Sequence, residues 1–274
     1  MNTAQAAQTL SVHGIDVHLE GDGPEVVLML HGWPDTHHLW DATVARLRGR
    51  ARCARFTLPG YDLAHPPRPT SLSDMTALLA AITQAVSPDA PVTLLMHDWG
   101  CIFGYEFALR HPQRVRRIVA VDIGDYNSTA FARSLGWRER LQIAGYQIWL
   151  ALAWKIGRSL SPALGNHMTR SMAAAMRCPV PAQAMGWPMN YPYAMAWLGL
   201  MGGFKGAARV APECPVLYLY GKRKPFMFHS PQWLERLTQR PGSAAHGVNS
   251  GHWVMLDQPE AFHGLLENWL DGAA

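Results

Sequence analysis

The hydrophobic positions along the chain fall into short apolar runs separated by longer stretches with helical spacing. The runs predict strands at residues 12–19, 25–30, 51–58, 91–96, 115–123, 215–220 and 243–248. The helical spacing predicts helices at residues 39–47, 73–86, 102–109, 231–237 and 259–270. Strands that alternate with helices over short connections are typical of a doubly wound, mostly parallel sheet.

Turn and cap residues mark some of the boundaries. Gly21-Asp22-Gly23-Pro24 separates the first two predicted strands and predicts a hairpin between them. Ser73-Asp74 predicts the N-terminal cap of the helix that ends near residue 86. The run at 91–96 is apolar without alternation, which indicates a strand buried on both faces of the sheet.

The alternation stops between residues 125 and 211, where Trp, Tyr, Met and Gly are frequent and helical spacing continues without a predicted strand. We interpret this segment as a mostly helical insertion that covers the sheet. The predicted core then consists of residues 1–124 and 212–274, with residues 125–211 as a lid.

Composition narrows the class of protein. With 274 residues and 49% hydrophobic composition, the chain is long enough to bury a full core. Its formal charge of +4 is spread thinly, without a run of five like charges. Arg110, Arg114, Arg116 and Arg117 straddle a His-Pro break, where they are expected to solvate a helix end and a strand start. A nucleic-acid partner is therefore not expected.

Cys53, Cys101, Cys178 and Cys214 lie far apart, without the spacing of a metal knuckle or a redox pair. Four reduced thiols favour a cytoplasmic location. The first ten residues contain no basic residue and no apolar signal segment, and no stretch has the roughly eighteen apolar residues of a membrane span. Secretion, membrane insertion and a bound metal are therefore not expected.

The chemistry centres on Met96-His97-Asp98-Trp99-Gly100, between a predicted strand and a predicted helix. A sharp turn from strand to helix exposes its central residue above the sheet, with the first helical amides directed at the same point. This nucleophile elbow usually carries serine, but here it carries Asp98. A carboxylate suits attack on an electrophilic sp3 carbon, which gives an alkyl ester on the enzyme. The alternative is an Asp that only caps the next helix.

Two further segments fall where such a site requires them. His31-Gly32-Trp33-Pro34 follows a predicted strand ahead of the elbow, so the amides of Trp33 and Trp99 are expected to form an oxyanion hole. Trp33-Pro34 is also a candidate for a cis peptide bond. In Ser250-Gly251-His252-Trp253, His252 follows the last predicted strand and is expected to act as a general base.

Together, His31-Gly32-Trp33-Pro34-Asp35, His97-Asp98-Trp99-Gly100 and Gly251-His252-Trp253 resemble the epoxide hydrolase and haloalkane dehalogenase branch of the α/β-hydrolase family. The resemblance is strong for these motifs and weak for the insertion. It implies the α/β-hydrolase fold, with a doubly wound, mostly parallel eight-stranded sheet and a helical lid. It also implies Asp98 as the nucleophile, His252 as the base for water, and an oxyanion hole and pocket formed by His31, Trp33 and Trp99.

The acid that orients His252 departs from the commoner family pattern. Family members often carry it in a Gly-x-x-Asp stretch after the strand that corresponds to residues 216–220, but this chain reads Gly221-Lys222-Arg223-Lys224-Pro225. Some relatives place the acid at the end of the preceding strand, where Asp122 and Asp125 lie. The resemblance favours Asp122 over Asp125. The alternative is a structural Asp122 and a His252 without an orienting acid.

The leaving atom separates the two activities of this branch. A halide leaves as an anion and needs N–H donors, whereas an epoxide oxygen must be protonated. Asn190-Tyr191-Pro192-Tyr193 resembles the lid segment of epoxide hydrolases, so Tyr191 and Tyr193 are both candidate proton donors, with aromatic packing as the alternative. Trp33 stands where many dehalogenases carry a halide-binding Asn, which also favours the epoxide. Met96 slightly favours the dehalogenase.

The leading hypothesis is a cofactor-independent hydrolase that opens an epoxide to a diol through an ester on Asp98. Its expected partners are a small apolar organic substrate and water, without nucleic acid or membrane, and a homodimer is compatible with the sequence. Haloalkane or haloacid dehalogenation is the second hypothesis. A non-catalytic ligand-binding or regulatory protein of the same fold is the third, because Lys224 stands where an acid is usual.

Overall fold

Eight strands form one sheet in the computed structural model of the protein, which describes residues 7–272. The strands are β1 (Gln8–Val12), β2 (Ile15–Glu20), β3 (Glu25–Leu30), β4 (Ala51–Phe56), β5 (Val92–His97), β6 (Val115–Val121), β7 (Val216–Gly221) and β8 (Ala244–Val248). The helices are α1 (Asp41–Leu47), α2 (Leu72–Val86), α3 (Trp99–Arg110), α4 (Thr129–Ser134), α5 (Trp137–Ser159), α6 (Pro162–Ala175), α7 (Tyr191–Leu198), α8 (Pro231–Thr238), α9 (Val254–Asp257) and α10 (Pro259–Gly272).

The strand order is β1-β2-β4-β3-β5-β6-β7-β8. β1, β2 and β4 pair antiparallel, and every later pairing from β4 to β8 is parallel. Each parallel connection crosses over through at least one helix, since parallel neighbours cannot be joined by a tight turn. The predicted fold class, a mostly parallel eight-stranded sheet with a helical insertion, is confirmed.

The predicted hairpin at the start of the chain is wrong in its position. The stretch at 12–19 is divided between two strands, because the hairpin turn lies at His13-Gly14, where φ is 51° and 74°. Two consecutive positive φ values match the turn that best joins twisted antiparallel strands. Residues 21–24 instead connect β2 to β3, which are not neighbours, because β4 lies between them.

The start of α2 also differs from the prediction. The helix begins at Leu72, and Ser71 is its cap, since the Ser71 side chain accepts a hydrogen bond from the Asp74 amide. Ser73 and Asp74 therefore lie in the first turn, where the negative charge of Asp74 suits the helix dipole.

The central strands are buried on both faces. On β3, Leu28 and Leu30 belong to one hydrophobic cluster, whereas Val27 and Met29 belong to a second cluster on the other side of the sheet. This alternation follows from the two-residue period of a strand. The continuous apolar runs of the sequence therefore correspond to strands covered by helices on both faces.

The segment between β6 and β7 contains α4 to α7 and, over residues 125–211, no strand. Its longest helix is α5, which has 23 residues and packs against α6 and α7. Among residues 7–272, no helix is both long enough and apolar enough to cross a membrane.

Candidate active site

The candidate catalytic residues lie at one edge of the sheet, where the parallel strands end. Asp98 follows β5, Asp122 follows β6, and His252 lies in the loop after β8. Trp33 follows β3, the neighbour of β5. The carboxyl ends of parallel strands meet at the same edge, which is where open α/β sheets bind their ligands.

Asp98 occupies the sharp turn between β5 and α3. Its φ of 52° and ψ of −123° are rare for a residue with a side chain. The turn depends on two glycines: a Cβ on Gly32 would lie 2.4 Å from Asp98 Cβ, and one on Gly100 would lie 2.5 Å from the His31 carbonyl oxygen. The strained geometry therefore persists because the surrounding backbone packs too closely to allow another one.

The size of Met96 is accommodated by a third glycine. A Cβ added to Gly104, one turn along α3, would lie 2.0 Å from Met96 Sδ. The larger residue before the elbow is therefore matched by the missing side chain on the helix that packs against it.

The Asp98 carboxylate is held in a defined orientation. The Trp33 amide donates a hydrogen bond of 2.7 Å to Asp98 Oδ1. A Cβ on Gly32 would also lie 2.6 Å from the Trp99 nitrogen, so the two expected oxyanion-hole amides flank the same glycine. The Trp33-Pro34 peptide bond is cis.

His252 bridges two carboxylates. Its Nε2 lies 3.5 Å from Asp98 Oδ2, and its Nδ1 hydrogen-bonds to Asp122 Oδ2. His97 supports the loop, since its Nε2 bonds to the His252 carbonyl oxygen at 3.2 Å and the two rings lie 4.5 Å apart. His97 is buried and its pKa is lowered to about 3, first by burial and then by the nearby His252. His97 is therefore neutral and can donate to that carbonyl.

The two candidate acids have different surroundings. Asp122 is fully buried, has a φ of 73°, and accepts the Gly221 amide at 3.1 Å. Asp125 is also buried, but it accepts the amide and the hydroxyl of Ser230 at 2.7 Å each, together with the Ser128 hydroxyl. Asp125 therefore joins the start of α8 to the start of α4, and only Asp122 contacts His252.

The position that usually carries the family acid brings a cation to the same site. Lys224 Nζ lies 2.5 Å from Asp122 Oδ1, and the lysine side chain is only 9% exposed. Burial favours a raised pKa for Asp122, but the charges of Lys224 and His252 outweigh it and hold this pKa well below the usual range. Asp122 is therefore ionised.

Burial also opposes the charged form of His252. The Asp122 carboxylate, followed by Asp98, outweighs the burial and raises the pKa of His252 to about 9. Conversely, burial favours protonation of Asp98, but His252, His97 and the Trp33 amide lower its pKa below the ordinary value. Asp98 is thus a carboxylate beside an imidazolium near neutral pH.

A cavity of about 620 Å³ opens at this site. Asp98 and His252 lie on its core side, and Tyr146 and Tyr193 line it from the helical segment. Phe226, Phe228 and Trp253 add apolar walls. The cavity has the size and mixed lining expected for a small organic ligand.

A family profile described as "Alpha/beta hydrolase family" matches residues 27–265. The chain belongs to this α/β-hydrolase family. In sequence it is similar to a mycobacterial protein, "Probable oxidoreductase EphD" of Mycobacterium tuberculosis, with 39% identity over 111 residues. That alignment covers 39% of this chain but only 18% of the mycobacterial protein.

Two further relatives of this α/β hydrolase match over most of its length. "Epoxide hydrolase 2" of Caenorhabditis elegans is 23% identical, over 96% of this chain and 79% of the relative. The crystal structure of an epoxide hydrolase from Bacillus megaterium aligns with a TM-score of 0.67 and 21% identity, over 96% of this chain and 100% of the other. The predicted family, and the similarity to epoxide hydrolases within it, are confirmed.

The two candidate tyrosines of this α/β hydrolase are not equivalent. Tyr193 lines the cavity and contacts Trp99 edge-on, with ring centroids 5.0 Å apart. Tyr191 is not among the lining residues, since its ring packs against Gly60 and lies 6.0 Å from Tyr61. The Tyr191 hydroxyl is buried with no hydrogen-bond partner among the described residues.

Sequence reasoning missed Tyr146. It lies on α5 with its ring 6.1 Å from Tyr193, and both rings border the cavity. No motif marks it, but Gln142, four residues earlier and also a lining residue, shows that this side of α5 faces the cavity. The available signal was therefore only the spacing of Gln142 and Tyr146 on α5.

His31 and Trp99 do not line the cavity, contrary to the expectation from the motifs. His31 Nδ1 bonds to the Gly32 carbonyl oxygen and its Nε2 accepts the Leu58 amide. Burial lowers the pKa of His31 to about 3, so the ring is a neutral link between two loops. The Trp99 indole stacks on Phe204 at 5.9 Å. The Trp99 backbone nitrogen lies beside Gly32, next to Asp98.

The Trp33 side chain is fixed from the helical segment. Its Nε1 donates to Asn190 Oδ1 at 2.8 Å, and Asn190 Nδ2 donates to the Thr169 hydroxyl at 2.7 Å. All three residues are buried. The Asn190-Tyr191-Pro192-Tyr193 segment thus connects the loop that carries Trp33 to α6. These bonds explain why Asn190 is buried without facing the cavity.

Proposed function

We propose that this α/β hydrolase opens epoxides to diols through a covalent ester on Asp98. The observation that carries the proposal is that Asp98, His252, Tyr146 and Tyr193 border one cavity. A carboxylate, a base and two phenolic hydroxyls are the groups that opening an epoxide and hydrolysing the resulting ester require. The similarity to epoxide hydrolases of C. elegans and B. megaterium supports the same reaction.

In the first step, Asp98 Oδ2 attacks one epoxide carbon. Oδ1 is held by the Trp33 amide, which leaves Oδ2, on the His252 side, as the attacking atom. A bond forms between Oδ2 and carbon, the carbon–oxygen bond of the epoxide breaks, and the released oxygen takes a proton from Tyr193 or Tyr146. Burial, followed by the charge of Asp98, raises the pKa of Tyr193, so this hydroxyl is protonated before the reaction.

Formation of the ester changes His252. The Asp98 carboxylate is one of the two charges that raise the pKa of His252 to about 9, and esterification removes that charge. The pKa of His252 then falls, because one of the two charges that favour the imidazolium is gone. The imidazolium gives up its proton, and the tyrosinate left by the first step takes one up, so the intermediate has a neutral imidazole, where a base is needed, and a neutral phenol.

In the second step, His252 Nε2 takes a proton from water, and the water oxygen attacks Asp98 Cγ. The oxyanion develops on Oδ1, where the Trp33 amide already donates a hydrogen bond and the Trp99 amide is adjacent. The ester bond then breaks, the diol leaves with the proton from His252, and one oxygen of water remains in the Asp98 carboxylate. Asp122 holds the His252 ring in place throughout.

Dehalogenation is the weaker alternative. It needs N–H donors for the halide, and neither tryptophan indole of the motifs supplies one, since the Trp33 indole already donates to Asn190 and the Trp99 indole does not line the cavity. The tyrosines instead supply the acid that only the epoxide requires. In this proposal residues 125–211 act as the lid that contributes Tyr146 and Tyr193, over a core of residues 1–124 and 212–274.

The test compares styrene oxide with 1-bromobutane and follows diol and bromide separately. We expect diol from wild-type protein, no turnover from Asp98→Ala, and normal turnover from Asp89→Ala, an exposed aspartate away from the site. Wild-type protein in a single turnover in H₂¹⁸O should carry the label on the peptide with Asp98. An active Asp98→Ala protein would contradict the ester mechanism, and bromide release without diol would assign the dehalogenase reaction.

A further inference from the structure

Exposed apolar side chains concentrate on one part of the molecule. Among residues 7–272, eleven of the thirteen exposed large hydrophobic side chains lie between β6 and β7, the other two being Leu63 and Leu256. The largest exposed fractions are 81% for Leu160, 68% for Trp137 and 63% for Leu141. A concentration of exposed large apolar side chains on one segment points to an interaction site.

On α5 these residues form a line. Trp137, Leu141, Ile148 and Leu152 are exposed and recur at intervals of four, seven and four residues, so they share one side of the helix. At a rise of about 1.5 Å per residue, the line is about 22 Å long. The opposite side of α5 is also apolar and packs into the core through residues such as Leu150 and Trp154. Both sides of α5 are thus apolar, and only one side is covered.

The neighbouring helices extend this surface. Exposed Trp149, on α5, donates its Nε1 to the Met168 carbonyl oxygen of α6, and exposed Trp197, on α7, donates its Nε1 to Gln147. Because both indole N–H groups are already bonded within the protein, the two rings present mainly apolar surface to the outside. We call the exposed large apolar residues of α5, α6 and α7 the outer lid face. They are Trp137, Leu141, Ile148, Trp149, Leu152, Leu164, Trp197 and Leu198.

The segment at residues 125–211 also differs from the rest of the chain in its charge. Residues 125–211 contain nine Lys and Arg but only two Asp and Glu, a formal charge of +7, whereas the whole chain carries +4. On α5, Arg138, Arg140, Lys155 and Arg158 are exposed beside the apolar line. Apolar residues with tryptophan, bordered by Lys and Arg, are typical of helices that lie in the interface of an anionic lipid bilayer.

We propose that the outer lid face binds the surface of an anionic lipid bilayer. A second copy of the chain fits less well, since a twofold contact through this face would bring two segments of charge +7 together. The expectation that the protein has no membrane partner rested on the absence of a spanning segment, and surface binding needs none. Met176 is exposed and also lines the cavity, so an apolar substrate dissolved in the bilayer would lie beside the entrance.

The test is cosedimentation of the 274-residue chain with vesicles, which requires no enzymatic activity. We expect binding to phosphatidylglycerol–phosphatidylcholine vesicles that weakens as salt is raised, and much weaker binding to pure phosphatidylcholine. Arg138→Gln with Lys155→Gln should weaken binding on the order of tenfold. Trp137→Ser with Leu141→Ser should also weaken it, because these residues lose their apolar contact with the bilayer.

Matched controls use the same changes outside the lid. Leu256→Ser, at a residue that is 43% exposed, and Lys222→Gln, at an exposed lysine, should leave vesicle binding unchanged. Equal binding to both vesicle types at all salt concentrations would overturn the proposal. A protein that binds no vesicles would also overturn it. In that case, light scattering would show whether the protein is a dimer, and dissociation of that dimer by Trp137→Ser with Leu141→Ser would assign the face to a second copy of the chain.

Discussion

Lys224 Nζ lies 2.5 Å from Asp122 Oδ1, while the other oxygen of Asp122 bonds to His252 Nδ1. A lysine from the loop after β7 therefore contacts the acid at the end of β6. Lys224, at the position where the family acid is more common, thus supplies a counter-charge to Asp122, the carboxylate that contacts His252. The Asp122–Lys224 pair presents less net negative charge to His252 than a lone carboxylate would.

Lys224→Met should raise the apparent pKa of the coupled His252–Asp122 pair. A nearby unit charge, at an effective dielectric constant near 20, shifts a pKa by on the order of one to two units. Because hydrolysis of the ester needs neutral His252, the acidic limb of its pH–rate profile should move to higher pH by that amount. The measurement is single-turnover hydrolysis against pH, together with the NMR titration of His252 in the free protein.

Lys224→Arg should keep the wild-type profile, and Lys222→Met removes an exposed lysine of the same loop as a control. A wild-type profile in folded Lys224→Met protein would mean that the lysine serves stability alone. The NMR titration keeps this test separate from the proposed reaction, since it needs no substrate.

His252→Gln should separate the two chemical steps. Asp98 can still attack the epoxide, but no base activates water, so the alkyl-enzyme should accumulate. Intact-protein mass spectrometry after mixing with styrene oxide should show one substrate mass per chain. A folded His252→Gln protein that forms neither adduct nor product would show that the first step also needs His252.

Asp122→Asn should slow ester hydrolysis by on the order of 10² to 10⁴, as expected when a triad acid is neutralised. Asp125→Asn should instead lower thermal stability, because Asp125 accepts the amide and hydroxyl of Ser230 at the start of α8. Rate constants and melting temperatures of both variants give the comparison. Equal rates in the two variants would remove the assigned role of Asp122.

Tyr193→Phe and Tyr146→Phe should each slow ester formation, by about 10² or more for the main proton donor. Tyr191→Phe is the matched control, because the Tyr191 hydroxyl is buried away from the cavity without a partner. The rate of ester formation in rapid-quench experiments should be unchanged in this variant. A slower Tyr191→Phe protein with normal Tyr193→Phe would reverse the assignment.

Local sequence determined the parts of the protein that depend on near neighbours in the chain. The apolar run 91–96, the turn at Asp98 and the helix that follows are encoded within about twenty residues, and Gly100 is part of the same motif. From β3 onward, the order of the strands also followed from local periodicity, because a strand buried on both faces needs a continuous apolar run.

Tertiary structure decided what depends on distant residues. β2 pairs with β4 rather than with β3, which follows it along the chain. His252 selects Asp122 although Asp125 is only three residues away, since the residue after β6 points to the loop after β8 and Asp125 points to α8. Tyr146 and Tyr193 are 47 positions apart in the sequence and meet only because α5 packs on α7. Periodicity gives the side of a helix or strand that is buried, but contacts between separate elements are set by how those elements pack.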